Sequence, residues 1–254
     1  MPTAGVEFAK VSYTLADGRV LLRDISLHLE AGTTTAVLGR SGSGKTTLLR
    51  TVNGLVRPTA GDVLVEGRGV SAAHGSVRDL VALRRGIGYV IQETGLFPHM
   101  TVERNAGLAL ELAGLSRAEI AARAKEVLEL CGLDFEALRG RYPWQLSGGQ
   151  RQRVGLARAL AMNPSVLLMD EPFGALDPLT RAEMQRMLRA LLKRVGKTVL
   201  LVTHDLDEAL YLAGRVVFLA EGAVVADLPA GEVLESENPH VKDYVQAVHY
   251  GGGE

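Results

Sequence analysis

Gly39-Arg40-Ser41-Gly42-Ser43-Gly44-Lys45-Thr46 follows the apolar run Thr35-Ala36-Val37-Leu38. It leads into Gly44 to Asn53, which is patterned as a helix, with Gly54 available as its stop. The spacing is G-x-x-x-x-G-K-[ST], and strand–loop–helix is the context in which that spacing cradles phosphate. The glycines let the backbone curl until several N–H groups face one anion. Lys45 is placed to reach the β- and γ-phosphates of a nucleoside triphosphate, and the Thr46 hydroxyl to coordinate Mg²⁺. Thr47, next along the helix, joins Gly39 to Thr46 as a nucleotide-binding candidate. An α/β fold follows, with the loop at the carboxyl edge of a mostly parallel sheet.

A second strand ends in acid. Val166-Leu167-Leu168-Met169-Asp170 is apolar up to its last residue, which puts Asp170 at the same carboxyl edge as a Mg²⁺ ligand, direct or through water. Glu171 follows and points to the other side of the chain. Between these motifs lies Leu146-Ser147-Gly148-Gly149-Gln150, a turn that opens a helix. Unpaired amides and the dipole at such a start attract anions. One chain therefore carries two phosphate-binding surfaces for one kind of ligand. The economical arrangement is two copies head to tail, each lending its second surface to the nucleotide of the other.

The remaining chain divides by pattern. Val6 to Tyr13 and Ile25 to Leu29 alternate apolar and polar residues, as half-buried strands do. Val63 to Val65 and Ile87 to Ile91 are further apolar strands. Val166 to Met169 and Val199 to Val202 are nearly unbroken apolar runs, as in parallel strands covered on both faces. Val216 to Leu228 reads as a hairpin turning at Glu221-Gly222. From Thr101 to Arg158 the apolar spacing becomes helical, and Gly114-Leu115-Ser116 separates two helices, with Ser116 a cap and Glu119 three residues on. Pro229 to Tyr250 reads as two short helices.

Composition sets outer limits. The chain has 254 residues, enough for one large α/β domain. Its 28 basic and 29 acidic residues leave a net charge of −1, which argues against a dedicated nucleic-acid binder. Cys131 is the only cysteine, so a reducing compartment fits. No apolar run approaches the ~20 residues that span a bilayer, and Met1 to Lys10 lacks a signal-peptide core. The expected location is the cytoplasm, with any membrane role supplied by a partner. His28, His74, His99, His240 and His249 show no metal-ligand spacing. Trp144 reads as a packing residue, and Arg151, Arg153 and Arg158 as a basic stripe on a solvated helix face.

Taken together, these motifs resemble the ATP-binding cassette (ABC) family, over nearly the whole chain from Val6 to about Val248. The resemblance implies a P-loop NTPase core with a mostly parallel sheet, an N-terminal antiparallel β-subdomain and an inserted helical subdomain. The expected single domain is 1–250, with core 1–100 and 159–250, insert about 101–158, and a disordered tail at 251–254. ATP and Mg²⁺ are the implied ligands. Residue by residue, Gln92 matches the glutamine that contacts Mg²⁺ and water, and Glu171 the glutamate that polarises the attacking water. His204 matches the switch histidine at the γ-phosphate, and Tyr13 the aromatic residue that stacks on adenine. Ala175-Leu176-Asp177 matches the loop that crosses the dimer interface, preceded by Gly174 where many members have Ser. Ser147, Gly148, Gly149 and Gln150 would close over the partner copy's nucleotide.

The phosphate loop and Leu146 are too close for a coiled-coil chromosome-maintenance ATPase. A ribosome-acting member would carry two cassettes, and a kinase or GTPase would leave Leu146 to Gln150 unexplained. A separate cassette chain is typical of bacterial importers. The run from Val90 to Val102, with Arg141-Tyr142-Pro143 and Glu171 to Pro178, is similar to the importer group for glycine betaine, choline and carnitine. Cassettes of amino-acid and other polar-solute importers are very similar. Many members of the betaine group add a C-terminal regulatory module, which is not expected here. The implied partners are transmembrane permease subunits, docked near Leu96, Phe97 and Pro98, a second copy on ATP binding, and indirectly a solute-binding protein, with no nucleic acid.

Overall fold

The computed structural model describes residues 5–73, 75–174 and 176–249. The tail at 251–254, together with His74 and Ala175, lies outside the described residues. In chain order the elements are β1 (Val6–Thr14), β2 (Val20–Leu29), β3 (Thr34–Leu38), α1 (Lys45–Val52), β4 (Ala60–Val65), β5 (Arg68–Gly69), α2 (Val70–Ala73), α3 (Val77–Arg85) and β6 (Ile87–Val90). Next come α4 (Val102–Leu112), α5 (Arg117–Leu130), α6 (Phe135–Leu138), α7 (Gly148–Leu160), β7 (Val166–Asp170) and α8 (Pro178–Val195). The last are β8 (Thr198–Val202), α9 (Leu206–Leu212), β9 (Arg215–Ala220), β10 (Ala223–Pro229) and α10 (Pro239–His249). Two compact units result, one of residues Met1–Arg84 with Lys197–Glu254 and one of Arg85–Gly196.

The first unit holds two groups of strands. Antiparallel β2-β1-β4-β5 pairs Val6 with both Leu29 and Val65. The alternating exposure of β1 gives that sheet one covered face. In the order β10-β9-β3-β8, strand β3 runs parallel to both β8 and β9. Every residue of β8 is buried, as its unbroken apolar run requires. Strands β9 and β10 form a hairpin that turns at Glu221 and Gly222, both with positive φ (49° and 79°), as a two-residue hairpin loop demands. Ala36, Leu38, Val216 and Phe218 pack with Leu206 and Ala209 of α9 and Val241 of α10.

In the second unit β6 and β7 run parallel, Ile87 opposite Val166 and Val90 opposite Met169. Helices α4, α5 and α7 pack on one another. Caps set the helix starts in this unit: Thr101 for α4, the Ser116–Glu119 capping box for α5, and Asp177 followed by Pro178 for α8. The Ser116 hydroxyl and amide hold the Glu119 carboxyl below its usual range. Leu128 of α5 and Val154 of α7 are fully buried. Beside them burial pushes the Cys131 thiol up to about 12, so it stays protonated and unreactive at neutral pH.

Leu128→Ala, which removes a fully buried side chain, is expected to destabilise this unit by about 2–5 kcal/mol. The check is the urea midpoint followed by far-ultraviolet circular dichroism; an unchanged midpoint contradicts the packing described.

Candidate functional site

The phosphate loop leaves β3 at Leu38 and enters α1 at Lys45. A Cβ at Gly39 would lie 2.2 Å from the Leu219 carbonyl oxygen and 2.7 Å from Ser43 Oγ, so the loop presses directly against β9. Gly44 caps α1 with φ of 102°, and a Cβ there would meet the Leu21 carbonyl at 2.6 Å. Lys45 is only 6% exposed, and its Nζ donates to the carbonyls of Gly39 (2.7 Å) and Arg40 (3.0 Å). Ser43 is buried, and its Oγ has no hydrogen-bond partner. A buried hydroxyl in that condition costs stability until an acceptor arrives, and a phosphate oxygen on the loop is the acceptor that fits. Arg40, Ser41 and Gly42 are exposed, Thr46 and Thr47 half-buried.

Tyr13 lies in the same unit on β1, opposite Leu22, with its ring half-buried, as a stacking platform needs. His204 follows β8 and is exposed. Its surroundings are fixed. Thr203 Oγ1 donates to the buried Glu208 carboxylate at 2.7 Å and accepts from the Asp205 amide at 3.0 Å, while Asp205 caps α9.

In the second unit Asp170 is 5% exposed at the end of β7 and accepts from the Tyr89 hydroxyl at 3.3 Å. Glu171 has φ of 44°, left-handed for a residue with a side chain. Such a conformation costs about 1–3 kcal/mol and concentrates at functional sites. Gln92, exposed beyond β6, donates from Nε2 to Glu171 Oε2 at 3.4 Å. Gln92 and Asp170 carry oxygen donors of the kind Mg²⁺ takes alongside phosphate oxygens and water, and Thr46 of the first unit carries another. Among the described residues no group of three or more His, Cys, Asp or Glu suits a metal without such help.

The Leu146–Gln150 turn is held by a reciprocal capping box: Ser147 Oγ accepts from the Gln150 amide (3.2 Å), and Gln150 Oε1 accepts from the Ser147 amide (3.0 Å). The Gln150 side chain, read from sequence as a nucleotide contact, here shapes the turn. Gly149 is buried, and a Cβ on it would sit 2.8 Å from Thr180 Cγ2. Ser147 is exposed and Gly148 half-buried. Asp177 is exposed and caps α8 through the Thr180 amide (3.0 Å), and bonds to Thr180 hold its carboxyl below the usual range. Trp144 is 65% exposed, its ring stacked on Tyr142 at 4.5 Å.

The three arginines of α7 correct the expectation of a solvated face. Arg151 donates to the Leu146 carbonyl at 2.7 Å and Arg153 to that of Gly132 at 3.3 Å. Arg158 donates to Thr94 and Gly95, each at 2.7 Å. Burial pulls the Arg158 guanidinium below its usual value. Gln152 Nε2 donates to the Pro172 carbonyl at 2.5 Å, tying α7 to the chain just past Glu171. Apart from Leu146, five residues before Arg151, these partners are 20 or more residues away, so no local pattern announces them.

Residues 22–174 match the family model described as "ABC transporter". The chain belongs to the ABC transporter family. Among curated ABC relatives, the carnitine transport ATP-binding protein OpuCA of Listeria monocytogenes is 42% identical over 241 residues, covering 94% of this chain and 59% of the relative. The glycine betaine uptake system ATP-binding protein YehX of Escherichia coli is 45% identical over 220 residues, 87% of this chain and 69% of the relative. The sulfate/thiosulfate import ATP-binding protein CysA of Caulobacter vibrioides is 49% identical over 207 residues, 80% and 58%. The chain thus spans about six-tenths of the length of the first of these. Among solved ABC structures, the dimeric cassette MJ0796 in a post-hydrolysis state with ADP and Pi is 34% identical, with a TM-score of 0.78 over 89% of this chain and 98% of that one. The resemblance read from the motifs, and the ABC cassette fold it implied, are both borne out.

Arg158→Ala removes two charge-assisted bonds from the turn after Gln92. Amide exchange at Thr94 and Gly95 is expected to rise about tenfold or more, because such bonds contribute about 1.5–3 kcal/mol each. Hydrogen–deuterium exchange reads this directly; unchanged protection rules out the arginine as the clamp.

Proposed function

We propose that this chain is the ATP-hydrolysing subunit of an importer for a small quaternary amine or related compatible solute. The observations behind the chemistry are two features of one chain: a phosphate loop carrying an unpartnered buried hydroxyl, and a left-handed glutamate after a buried aspartate. Tyr13 stacks on the base, and the Gly39–Thr47 segment holds the phosphates. Thr46, Asp170 and Gln92 would hold Mg²⁺, which when bound would neutralise phosphate charge. Glu171, held by Gln92, orients the attacking water and accepts its proton. His204 steadies the γ-phosphate. Ser147 and Gly148, and the loop through Asp177, act on the nucleotide of a second copy, so ATP binding favours a homodimer.

Among the described residues no helix is long and apolar enough to cross a membrane. In this reading permease subunits hold the chain at the inner face. The docking surface follows Gln92. Asn105, fully buried, accepts from the Phe97 amide and donates to the carbonyls of Phe97, Met100 and Thr101 at 2.8–3.1 Å. This fixes a loop on which Phe97 is 40% exposed, an apolar anchor for a short permease helix. The cargo reading rests on kinship with carnitine and glycine betaine relatives. A sulfate reading has its own support in the 49% identical relative.

Glu171→Gln is expected to lower ATP turnover by about 10²–10⁴-fold while sparing ATP affinity, the loss typical of a missing proton acceptor. Size-exclusion chromatography with ATP should show a trapped homodimer. Near-wild-type turnover takes Glu171 out of that role.

Cargo is decided in liposomes carrying the complete transporter. ATP-driven uptake of labelled betaine or choline is expected, and Phe97→Asp should abolish uptake while the isolated cassette keeps its ATPase rate. Uptake of sulfate alone overturns the amine reading, and ATP-driven efflux overturns import.

A further inference from the structure

We infer that Tyr244, on the last described helix, is a positioning residue for His204. The Tyr244 hydroxyl donates to the His204 main-chain carbonyl at 2.6 Å. That carbonyl lies between β8 and α9, outside any regular element. The chain on its amino side is fixed by Thr203 on the Glu208 carboxylate, and on its carboxyl side by Asp205 capping α9. Tyr244 fixes the peptide between them. The His204 side chain, exposed, takes its direction from that peptide.

The hydroxyl is itself held by a rigid mount. Val241, one turn earlier on α10, is fully buried in the cluster of Ala36, Leu38 and Phe218. The Tyr244 ring packs edge-on against Phe218, centroids 5.7 Å apart at 76°. Asn238, just before the helix, donates to the Val225 carbonyl at 2.9 Å. A cavity of about 630 Å³ is lined by the phosphate-loop residues Gly39 to Ser43 and by His240, Asp243 and Tyr244 of α10. The same helix therefore borders the phosphate loop and grips the peptide of the switch histidine. Anything that shifts α10 shifts His204 without touching the nucleotide. Nothing in the local sequence marks this role, since the partners are 40 residues apart.

The inference rests on the proposed ATPase reading. Tyr244→Phe deletes one oxygen and keeps the ring contact with Phe218. The expected result is a fall in kcat of about 3–10-fold with KM for ATP unchanged, the scale of one lost hydrogen bond expressed in a barrier. In a His204→Ala background the same substitution should have no further effect on kcat, because its route runs through the imidazole. An equal fold loss in that background marks a merely structural role and overturns the inference. So does wild-type kcat in the single variant, or a loss confined to KM. A wild-type chain without ATP turnover sinks the ATPase reading and this inference together; turnover that ignores Tyr244 sinks the inference alone. Melting temperatures of all three variants, within the range of the wild type, show that each comparison is made on folded protein.

Discussion

The phosphate loop has no space between itself and strand β9. With a Cβ at residue 39 only 2.2 Å from the Leu219 carbonyl, the loop is seated on backbone, and backbone does not move aside. That contact fixes where β3 ends, where α1 begins and which face of the β9–β10 hairpin the loop meets. Gly222 at the hairpin tip donates its amide to the Ser43 carbonyl at 3.1 Å, so the turn steadies the far side of the same loop. Anion binding then needs no induced shape, and the cost of ordering the loop is met during folding.

The second unit solves a related problem by different means. Its parts near Glu171 are held by side chains reaching across to main-chain carbonyls: Gln152 to Pro172, Arg158 to Thr94 and Gly95, Arg151 to Leu146. All of these donors lie on α7, the helix whose start is the Ser147 capping box. A single helix thus connects the Ser147 turn, the segment after Gln92 and the segment after Glu171. A change in how Ser147 is engaged has a physical route to both.

The legible parts of the sequence were those encoded locally. Apolar strand runs, the glycine spacing before Lys45, the Ser116–Glu119 box and the Glu221-Gly222 turn each carry their meaning within a few residues. The site split along the same line. Asp170 was readable because an apolar strand ends in it, whereas the left-handed backbone of Glu171 has no spelling in a carboxylate residue. The arginines of α7 read as a solvated stripe because charge alone does not show that each guanidinium has a main-chain carbonyl to bond. Helix α3 went unread because none of its residues is buried, so no core-facing periodicity singles it out. Tyr244 was invisible for a simpler reason, since tyrosines near chain ends carry no pattern at all.

The exposed indole of Trp144 has an optical consequence. It is the only tryptophan in the chain, and it lies three residues before Ser147 on a ring stacked against Tyr142. Light absorbed beyond the tyrosine band is therefore emitted from one place beside the turn that opens α7. Quenching, polarisation and emission colour of the unlabelled protein all report on that single point, and a second molecule or a nucleotide that covers it announces itself without an added dye.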